Sequence, residues 1–76
     1  MPPPLAHTYI LLGKVLEKKG EAALALRSLQ RAAAMDPNNL ITHHLLGQTY
    51  RDVGRQDEAE RELKIASQLQ AAHDSQ

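Results

Sequence analysis

The sequence predicts an all-α fold in which four helices form two hairpins. Three observations support this prediction. Apolar residues recur at helical spacing in four segments, glycine or Asp-Pro breaks separate the segments, and the apolar residues are mostly alanine and leucine. The chain has 11 alanines and 12 leucines but two tyrosines, no phenylalanine and no tryptophan. Sheets favour β-branched and aromatic side chains, so this composition indicates closely packed helices.

The first predicted helix covers residues 5–19 and is entered from three prolines at positions 2–4. Proline is tolerated in the first turn of a helix but not in its interior. Gly20 marks the end of this segment. The apolar residues that recur on one face are Leu5, Tyr9, Leu12 and Leu16. Of these, we expect Tyr9, Leu12 and Leu16 to face the core.

The second predicted helix covers residues 21–35 and ends at Asp36, because the residue before Pro37 is disfavoured in helical dihedrals. Asn38 and Asn39 are candidate N-caps for the helix that follows. The apolar stripe of this second helix consists of Ala22, Ala25, Leu26, Leu29, Ala32 and Ala33.

The third and fourth predicted helices cover residues 40–53 and 57–73, with Gly54 between them. Gly54 therefore separates the second pair of helices as Gly20 separates the first pair. The fourth helix keeps its apolar residues on one side, at Ala59, Leu63, Ala66 and Leu69.

The sequence contains an internal repeat, in which the pattern of residues 6–39 recurs in residues 40–73. Superposing these two segments without gaps aligns nine identical pairs, including Gly13 with Gly47 and Gly20 with Gly54. So many identities in one register are hard to attribute to chance, and the Asp36-Pro37 break lies at the repeat boundary. The other identical pairs are Thr8/Thr42, Leu11/Leu45, Leu12/Leu46, Ala25/Ala59, Arg27/Arg61, Leu29/Leu63 and Ala32/Ala66.

The repeat resembles the tetratricopeptide repeat (TPR) family, whose pattern is W-x2-L-G-x2-Y…A-x3-F…P. The first copy reads Tyr9-x2-Leu12-Gly13-x2-Leu16, then Ala25-x3-Leu29, Ala32 and Pro37. The second reads His43-x2-Leu46-Gly47-x2-Tyr50, then Ala59-x3-Leu63 and Ala66. Two departures are His43, where a large aromatic residue is usual, and Ala71, where the closing proline is usual.

The resemblance implies two helix-turn-helix TPR hairpins stacked as a short right-handed α-solenoid. The expected organisation is a Pro-rich lead at residues 1–5, repeat 1 at 6–39, repeat 2 at 40–73 and a tail at 74–76. We also expect the mid-helix glycines Gly13 and Gly47 to allow close helix contacts, with Ala25 and Ala59 as the opposing small residues. The larger side chains expected to fill the space around these contacts are Leu12, Leu29, Leu46 and Leu63. Glycine inside a helix costs up to about 1 kcal/mol relative to alanine, so a packing role would explain its presence.

Composition and motifs argue against several function classes. Nine basic and nine acidic residues cancel, which gives no electrostatic reason to expect nucleic acid or an anionic membrane as partner. The chain has no cysteine, so redox chemistry does not fix its compartment. It has no signal-peptide pattern and no apolar run near the roughly 20 residues that span a bilayer, so we expect a cytoplasmic protein. Neither a nucleophile motif nor a phosphate-binding glycine loop occurs, and we expect no enzyme activity and no cofactor.

The four histidines raise the question of a metal site. His43 and His44 are adjacent, so they point about 100° apart on a helix and do not share one ion comfortably. No HExxH motif or paired Cys/His spacing is present. We therefore expect His43 to pack between helices, with His7, His44 and His73 facing solvent or a groove. A metal protein or enzyme that uses these histidines is the most distant alternative.

The residues left outside the core predict a partner-binding surface. In the TPR family, the faces of the first helix in each repeat line a concave groove that binds protein or peptide segments. These stripes could equally be plain solvated faces, but the β-branched apolar residues Ile10 and Ile41 favour binding. The groove residues that the resemblance implies are His7, Ile10, Lys14, Glu17 and Lys18 in repeat 1 and Ile41, His44, Gln48, Arg51 and Asp52 in repeat 2.

The alternative function is self-assembly, as a homodimer or larger homo-oligomer, or stacking on other repeats of a longer scaffold. About three repeats are usually needed to bury the apolar faces of such a unit, and this chain has two. Polar Gln56, Glu60 and Ser67 replace Ala22, Leu26 and Ala33 in the second copy, as in the outer face of a terminal repeat. In the first copy nothing equivalent protects Leu5, Leu11 and Val15, and we expect these residues to mediate self-association.

Overall fold

The computed structural model describes residues 5–75 and contains, in that range, four helices and no strand. The helices are α1 (Leu5–Lys18), α2 (Ala22–Met35), α3 (Leu40–Asp52) and α4 (Gln56–Asp74). The all-α prediction is therefore confirmed, and each predicted helix end lies within one residue of the observed end. The prolines at positions 2–4, predicted to lead into α1, lie outside the described residues.

Two similar turns form the two hairpins. Gly20 has φ of 81° and Gly54 has φ of 82°, values in the left-handed region that favours glycine. The N–H of Gly20 donates to the Glu17 carbonyl at 3.0 Å, and the N–H of Glu21 donates to the Leu16 carbonyl at 2.8 Å. This pair of bonds satisfies the last carbonyls of α1 in the manner of a Schellman motif. Gly54 and Arg55 repeat the arrangement at the end of α3.

The junction between the hairpins ends one helix and begins the next. Asp36 leaves helical geometry with φ of −140° and ψ of 81°, as expected for the residue before Pro37. The side-chain oxygen of Asn39 accepts the N–H groups of Ile41 at 2.9 Å and Thr42 at 3.2 Å. Of the two candidate caps, it is therefore Asn39 that caps α3.

Helix α2 lies at the centre of the fold, packed against α1 on one side and against α3 on the other. Helix α4 packs against α3. Ala25, Leu29 and Ala32 of α2 have 1% exposure or less, which agrees with the predicted stripe of this helix. The central core cluster consists of Leu26, Leu29, Leu46, Tyr50 and Ala59.

The predicted inward face of α1 is wrong in part. Leu12 is exposed, whereas Ile10 and Gly13 are the buried residues of this helix. The reason is the stacking order. Leu46, the counterpart of Leu12, is buried because α3 has α2 to pack against, and no described helix occupies the corresponding place beside α1.

The close contacts at the mid-helix glycines involve leucines rather than alanine side chains. A Cβ at Gly13 would lie 2.7 Å from the Cγ of Leu29, and a Cβ at Gly47 would lie 2.6 Å from the Cγ of Leu63. Ala59 contributes its backbone oxygen, 3.4 Å from the same hypothetical Cβ at Gly47. The predicted close approach is present, and Leu29 and Leu63, which were expected to fill the space around it, are the side chains that contact the glycines.

Candidate functional site

The predicted binding stripes of α1 and α3 meet at a small polar cluster. The Thr49 hydroxyl lies 2.8 Å from the Leu45 carbonyl and 3.2 Å from Glu17 Oε2, so its hydrogen bond is shared between these two acceptors. The carboxyl group of Asp52 lies beside that of Glu17 and acts on its pKa. Thr49 is fully buried and Glu17 is half-buried. These contacts bring the C-terminal halves of the two stripes together.

The carboxyl group of Asp52 affects the protonation of Glu17. The hydrogen bond with Asp52, burial and the negative charge of Asp52 raise the pKa of Glu17 above its usual value of 4.5. The hydrogen bond from Thr49 opposes part of this increase. Within residues 5–75, neither Glu17 nor Asp52 forms an ion pair with a basic side chain of these stripes.

The basic and amide side chains of the two stripes remain free. Lys14, Lys18, Gln48 and Arg51 are exposed, and within residues 5–75 none of them forms an ion pair or a side-chain hydrogen bond. His7 is also exposed. These side chains can bind a partner without first breaking an internal contact.

Ile10 does not belong to the exposed surface. Only 6% of its surface is accessible, so its side chain contributes to the core and its assignment to the groove is a correction to the sequence prediction. Its counterpart His44 is exposed, because α3 stacks on the first hairpin and no described element stacks at the equivalent place on the second. Ile41 is 56% exposed and is the apolar residue that the α3 stripe offers.

A trough runs along the open flank of α3 and α4. It consists of two hollows, of about 410 Å³ and about 230 Å³, that share Leu40. The larger is lined by Leu40, Ile41 and Leu69 with polar Asp36, Asn38, Asn39 and His73. The smaller is lined by Leu40, His44, Leu63, Ala66, Ser67 and Gln70. Ile41 and His44 thus face this α3–α4 trough.

The α3–α4 trough was not predicted from the sequence, although the alignment of repeat 2 on repeat 1 indicates where it lies. In that alignment Leu63, Ala66 and Ser67 correspond to Leu29, Ala32 and Ala33 of α2. Leu29 and Ala32 are buried in the structure, and Ala33 packs against the core that includes residues of α3. On the first hairpin, α3 packs against the corresponding residues of α2. The trough is therefore the equivalent packing surface on the second hairpin.

His43 links three elements from a buried position. Its Nδ1 lies 2.6 Å from Glu62 Oε1 on α4, and its Nε2 lies 2.5 Å from the Pro37 carbonyl oxygen in the junction. Burial lowers the pKa of His43, but both hydrogen bonds and the charge of Glu62 outweigh this effect and raise the pKa above 6.5. His43 packs between helices as predicted, and it also cross-links them through hydrogen bonds.

Comparison with known families identifies the repeat. One tetratricopeptide repeat model matches residues 6–39, and a second tetratricopeptide repeat model matches residues 28–61. The chain belongs to the tetratricopeptide repeat family. No curated protein and no solved structure gives a significant match. TPR units generally mediate protein–protein interaction, and the helical-hairpin architecture described above is that of a TPR solenoid.

The TPR surface offers no metal cluster within the described range. No group of three or more histidine, aspartate or glutamate side chains in residues 5–75 is placed to hold an ion. His7, His44 and His73 are exposed, as predicted. None of the helices in that range is both long and apolar enough to cross a membrane.

An apolar face remains uncovered on α1 of this TPR unit. Leu5, Leu11 and Val15, the residues expected to mediate self-association, are 47%, 48% and 50% exposed. Leu12, at 44% exposure, lies among them. We call these four residues the α1 face. Large apolar side chains gathered on one exposed face are a common feature of association sites.

Proposed function

We propose that this chain is a non-catalytic interaction module that binds a peptide or protein segment along the concave side of α1 and α3. We assign repeat 1 to residues 6–39 and repeat 2 to residues 40–73. The proposed surface consists of His7, Lys14, Glu17 and Lys18 on α1 and Ile41, His44, Gln48, Arg51 and Asp52 on α3. Ile10 is left out because it is buried.

One observation carries this proposal. The equivalent stripes of α1 and α3 come together at Glu17, Thr49 and Asp52, while the cations and amide around that contact stay exposed and without internal partners. The two stripes therefore carry three cations, Lys14, Lys18 and Arg51, together with two carboxyl groups. A surface with this mixture offers hydrogen bonds and ion pairs to an extended segment, and Ile41 adds an apolar contact. Binding surfaces commonly combine apolar spots with a polar rim.

Charge reversal within the groove tests the proposal. Peptides are first selected against the 76-residue chain from a random display library, and their affinities are then measured by calorimetry. The double variant Lys14→Glu/Arg51→Glu should bind the selected peptides at least roughly tenfold more weakly, since two charged contacts become repulsive. Amide chemical shifts of the parent chain should change along α1 and α3 when peptide is added.

A matched variant controls for the change in net charge. Arg27 and Arg61 are exposed and occupy equivalent positions on α2 and α4, outside the proposed groove. Arg27→Glu/Arg61→Glu alters net charge by the same amount and should leave peptide affinity almost unchanged. Loss of binding in this control, with full binding in the groove variant, would place the site on the opposite side of the molecule.

Self-association is a second candidate function, and the exposed α1 face favours it. Leu11 and Val15 are exposed, at 48% and 50%. Their counterparts in repeat 2 are less accessible: Leu45 is partly buried and Thr49 is fully buried. Burying these side chains against a second surface would remove apolar area from water, which is favourable by about 25 cal/mol for each Å². The variant Leu11→Glu should therefore reduce association while leaving the helix content unchanged.

A further inference from the structure

We propose that copies of this chain associate head to tail, with the α1 face of one copy seated in the α3–α4 trough of the next. This inference rests on the self-association candidate above and adds the second surface, which the sequence did not reveal. The occupant of the trough is thus a second copy of the same chain. Four steps support the proposal.

The first step is the contact between the two hairpins within one chain. Leu46 of α3 joins Leu26 and Leu29 of α2 in the core cluster, with Leu45 and Ala33 packed beside them. This α2–α3 contact shows how the first helix of one hairpin packs against the second helix of the preceding hairpin. Because repeat 1 and repeat 2 align without gaps, each half of that contact has a counterpart elsewhere in the chain.

The second step is that α1 retains the inserting half of this contact. Leu11, Leu12 and Val15 are the counterparts of Leu45, Leu46 and Thr49. The two leucines are identical, and valine in place of threonine removes a hydroxyl that would need a hydrogen-bond partner when buried. All three α1 residues are exposed, so the inserting surface is present and uncovered in the described chain.

The third step is that the trough retains most of the receiving half. Leu63 and Ala66 are the identical counterparts of Leu29 and Ala32, and Ser67 takes the place of the similarly small Ala33. The hollow lined by these residues has a volume of about 230 Å³ and continues into the larger hollow beside Leu69. The floor of the trough therefore offers an incoming α1 face side chains similar to those that α3 meets on α2.

The fourth step is the opposite net charge of the two halves of the chain. Residues 1–39 carry a net charge of +2 and residues 40–76 a net charge of −2, with histidine neutral. Head-to-tail contact brings opposite charges together, whereas pairing of two α1 faces brings like charges together. Over distances near the Debye length of about 8 Å at physiological salt the effect is small, so it orients the contact more than it drives it.

One residue limits the strength of this contact. Glu60 stands where α2 has Leu26, the residue that contacts Leu46 in the core cluster. Leu12 of an incoming copy would therefore meet a glutamate instead of a leucine. Association is weaker than the internal α2–α3 contact for this reason, and it depends on protein concentration.

Head-to-tail contact has a consequence for assembly size. The two surfaces are different, so each added copy leaves one free α1 face and one free trough. Unless a ring closes, the chain forms species larger than dimers as its concentration rises. Symmetric pairing of α1 faces would stop at the dimer.

Two complementary variants test the arrangement. Leu11→Glu blocks the α1 face and Ser67→Arg blocks the trough, and both positions are exposed, so each variant is expected to fold. In sedimentation velocity, the parent chain should exceed the mass of a dimer at high concentration, and each variant alone should remain monomeric. An equimolar mixture should form a one-to-one heterodimer and nothing larger, because each variant retains the surface that the other lacks.

Other outcomes separate this proposal from the candidate on which it rests. If Ser67→Arg still dimerises while Leu11→Glu does not, the chain self-associates through paired α1 faces and the head-to-tail arrangement is wrong. A parent chain that stays monomeric at millimolar concentration contradicts both self-association and the head-to-tail arrangement. The α1 face and the trough would then be surfaces for other protein segments. Peptide binding by the groove is tested separately, with the Lys14→Glu/Arg51→Glu variant.

A gain-of-function variant provides an independent check. Glu60→Leu restores the leucine of the internal contact and should shift assembly to roughly tenfold lower concentration, as expected for one more buried apolar side chain. Gln68→Leu, which adds a leucine at an exposed α4 position outside both hollows, is the control and should leave assembly unchanged. Equal effects of the two variants would indicate non-specific association and overturn the proposal.

Discussion

Both ring nitrogens of His43 face acceptors, and one of these acceptors is the carboxylate of Glu62, 2.6 Å from Nδ1. The side chains of His43 and Glu62 are 10% and 15% exposed, so this pair is largely shielded from water. A neutral imidazole has a single N–H, whereas the charged form can donate to Glu62 and to the Pro37 carbonyl together. The junction between the hairpins is therefore held most firmly when His43 is charged.

This relationship predicts that stability falls as pH rises. The pKa of His43 is higher in the folded chain than the ordinary value of 6.5, so its contribution is complete below pH 6.5 and is lost as pH rises through the folded pKa. Chemical denaturation across this range should show the decrease for the parent chain. His43→Gln, which cannot titrate, should lack it. NMR titration of the His43 ring measures the pKa directly.

Removal of the charge on Glu62 gives a second measure of the same contact. Glu62→Gln should lower the free energy of unfolding below pH 6.5 by about 1.5–3 kcal/mol, the usual contribution of a hydrogen bond to a charged group. Glu60→Gln removes the same charge at an exposed position of α4 and should have little effect. If the two variants unfold alike, the contact between His43 and Glu62 does not stabilise the junction.

We expect substitution by alanine to change stability differently at the two mid-helix glycines, Gly13 and Gly47. Alanine at Gly13 or Gly47 gains up to about 1 kcal/mol of helix propensity in each case. At Gly13 the new Cβ meets Leu29, which is 1% exposed and has no space to move, so overpacking should cost about 1–3 kcal/mol. At Gly47 it meets Leu63, which lines the trough and can turn into it.

Urea denaturation of Gly13→Ala and Gly47→Ala measures the difference. We expect Gly13→Ala to be clearly less stable than the parent chain and Gly47→Ala to be closer to it. The opposite order would mean that Leu63 is held as rigidly as Leu29 despite the open flank beside it.

Local sequence patterns predicted the helices because their end signals are local. Gly20 ends α1 through its own backbone conformation, and Asn39 begins α3 through bonds to residues two and three positions away. Such effects need no knowledge of the rest of the chain. The four helices and the repeat could therefore be predicted from residues 5–75 alone.

Burial was predicted less well because it depends on neighbours in space. Leu12 and Leu46 are the same residue at the same repeat position, yet one is 44% exposed and the other 3%. Helical periodicity indicates which residues share a face, but not which helix covers that face. The partner of His43 is similarly distant, since Glu62 lies 19 residues away on another helix.

The carboxyl pair in the groove predicts a second loss of stability with rising pH, in a lower pH range than that of His43. The pKa of Glu17 is raised above 4.5, so its contribution to stability is greatest below that value and is lost as pH rises through the folded pKa. Asp52→Asn removes the like charge and should return the pKa of Glu17 toward its usual value. Carbon-13 NMR titration of the Glu17 carboxyl in both chains measures this change. An unchanged pKa would show that Asp52 does not act on Glu17.

For two buried threonines of α3, we expect substitution by valine to change the free energy of unfolding in opposite directions. Thr42 and Thr49 are both fully buried, but within residues 5–75 the Thr42 hydroxyl has no hydrogen-bond partner, whereas that of Thr49 bonds to the Leu45 carbonyl and to Glu17. Valine has nearly the same shape and helix propensity as threonine, so the substitution isolates the hydroxyl.

Thr42→Val removes an unsatisfied polar group and should leave the chain equally stable or more stable by about 1 kcal/mol, at the lower end of the usual desolvation cost. Thr49→Val removes hydrogen bonds and should lower stability by about 0.5–1.5 kcal/mol. It should also raise the pKa of Glu17 further, because the bond from Thr49 is what opposes the increase. Urea denaturation of the two variants beside the parent chain measures both changes in stability. If Thr42→Val were the more damaging of the two, its hydroxyl must have a partner, such as a buried water, and α3 would be held differently from the arrangement described above.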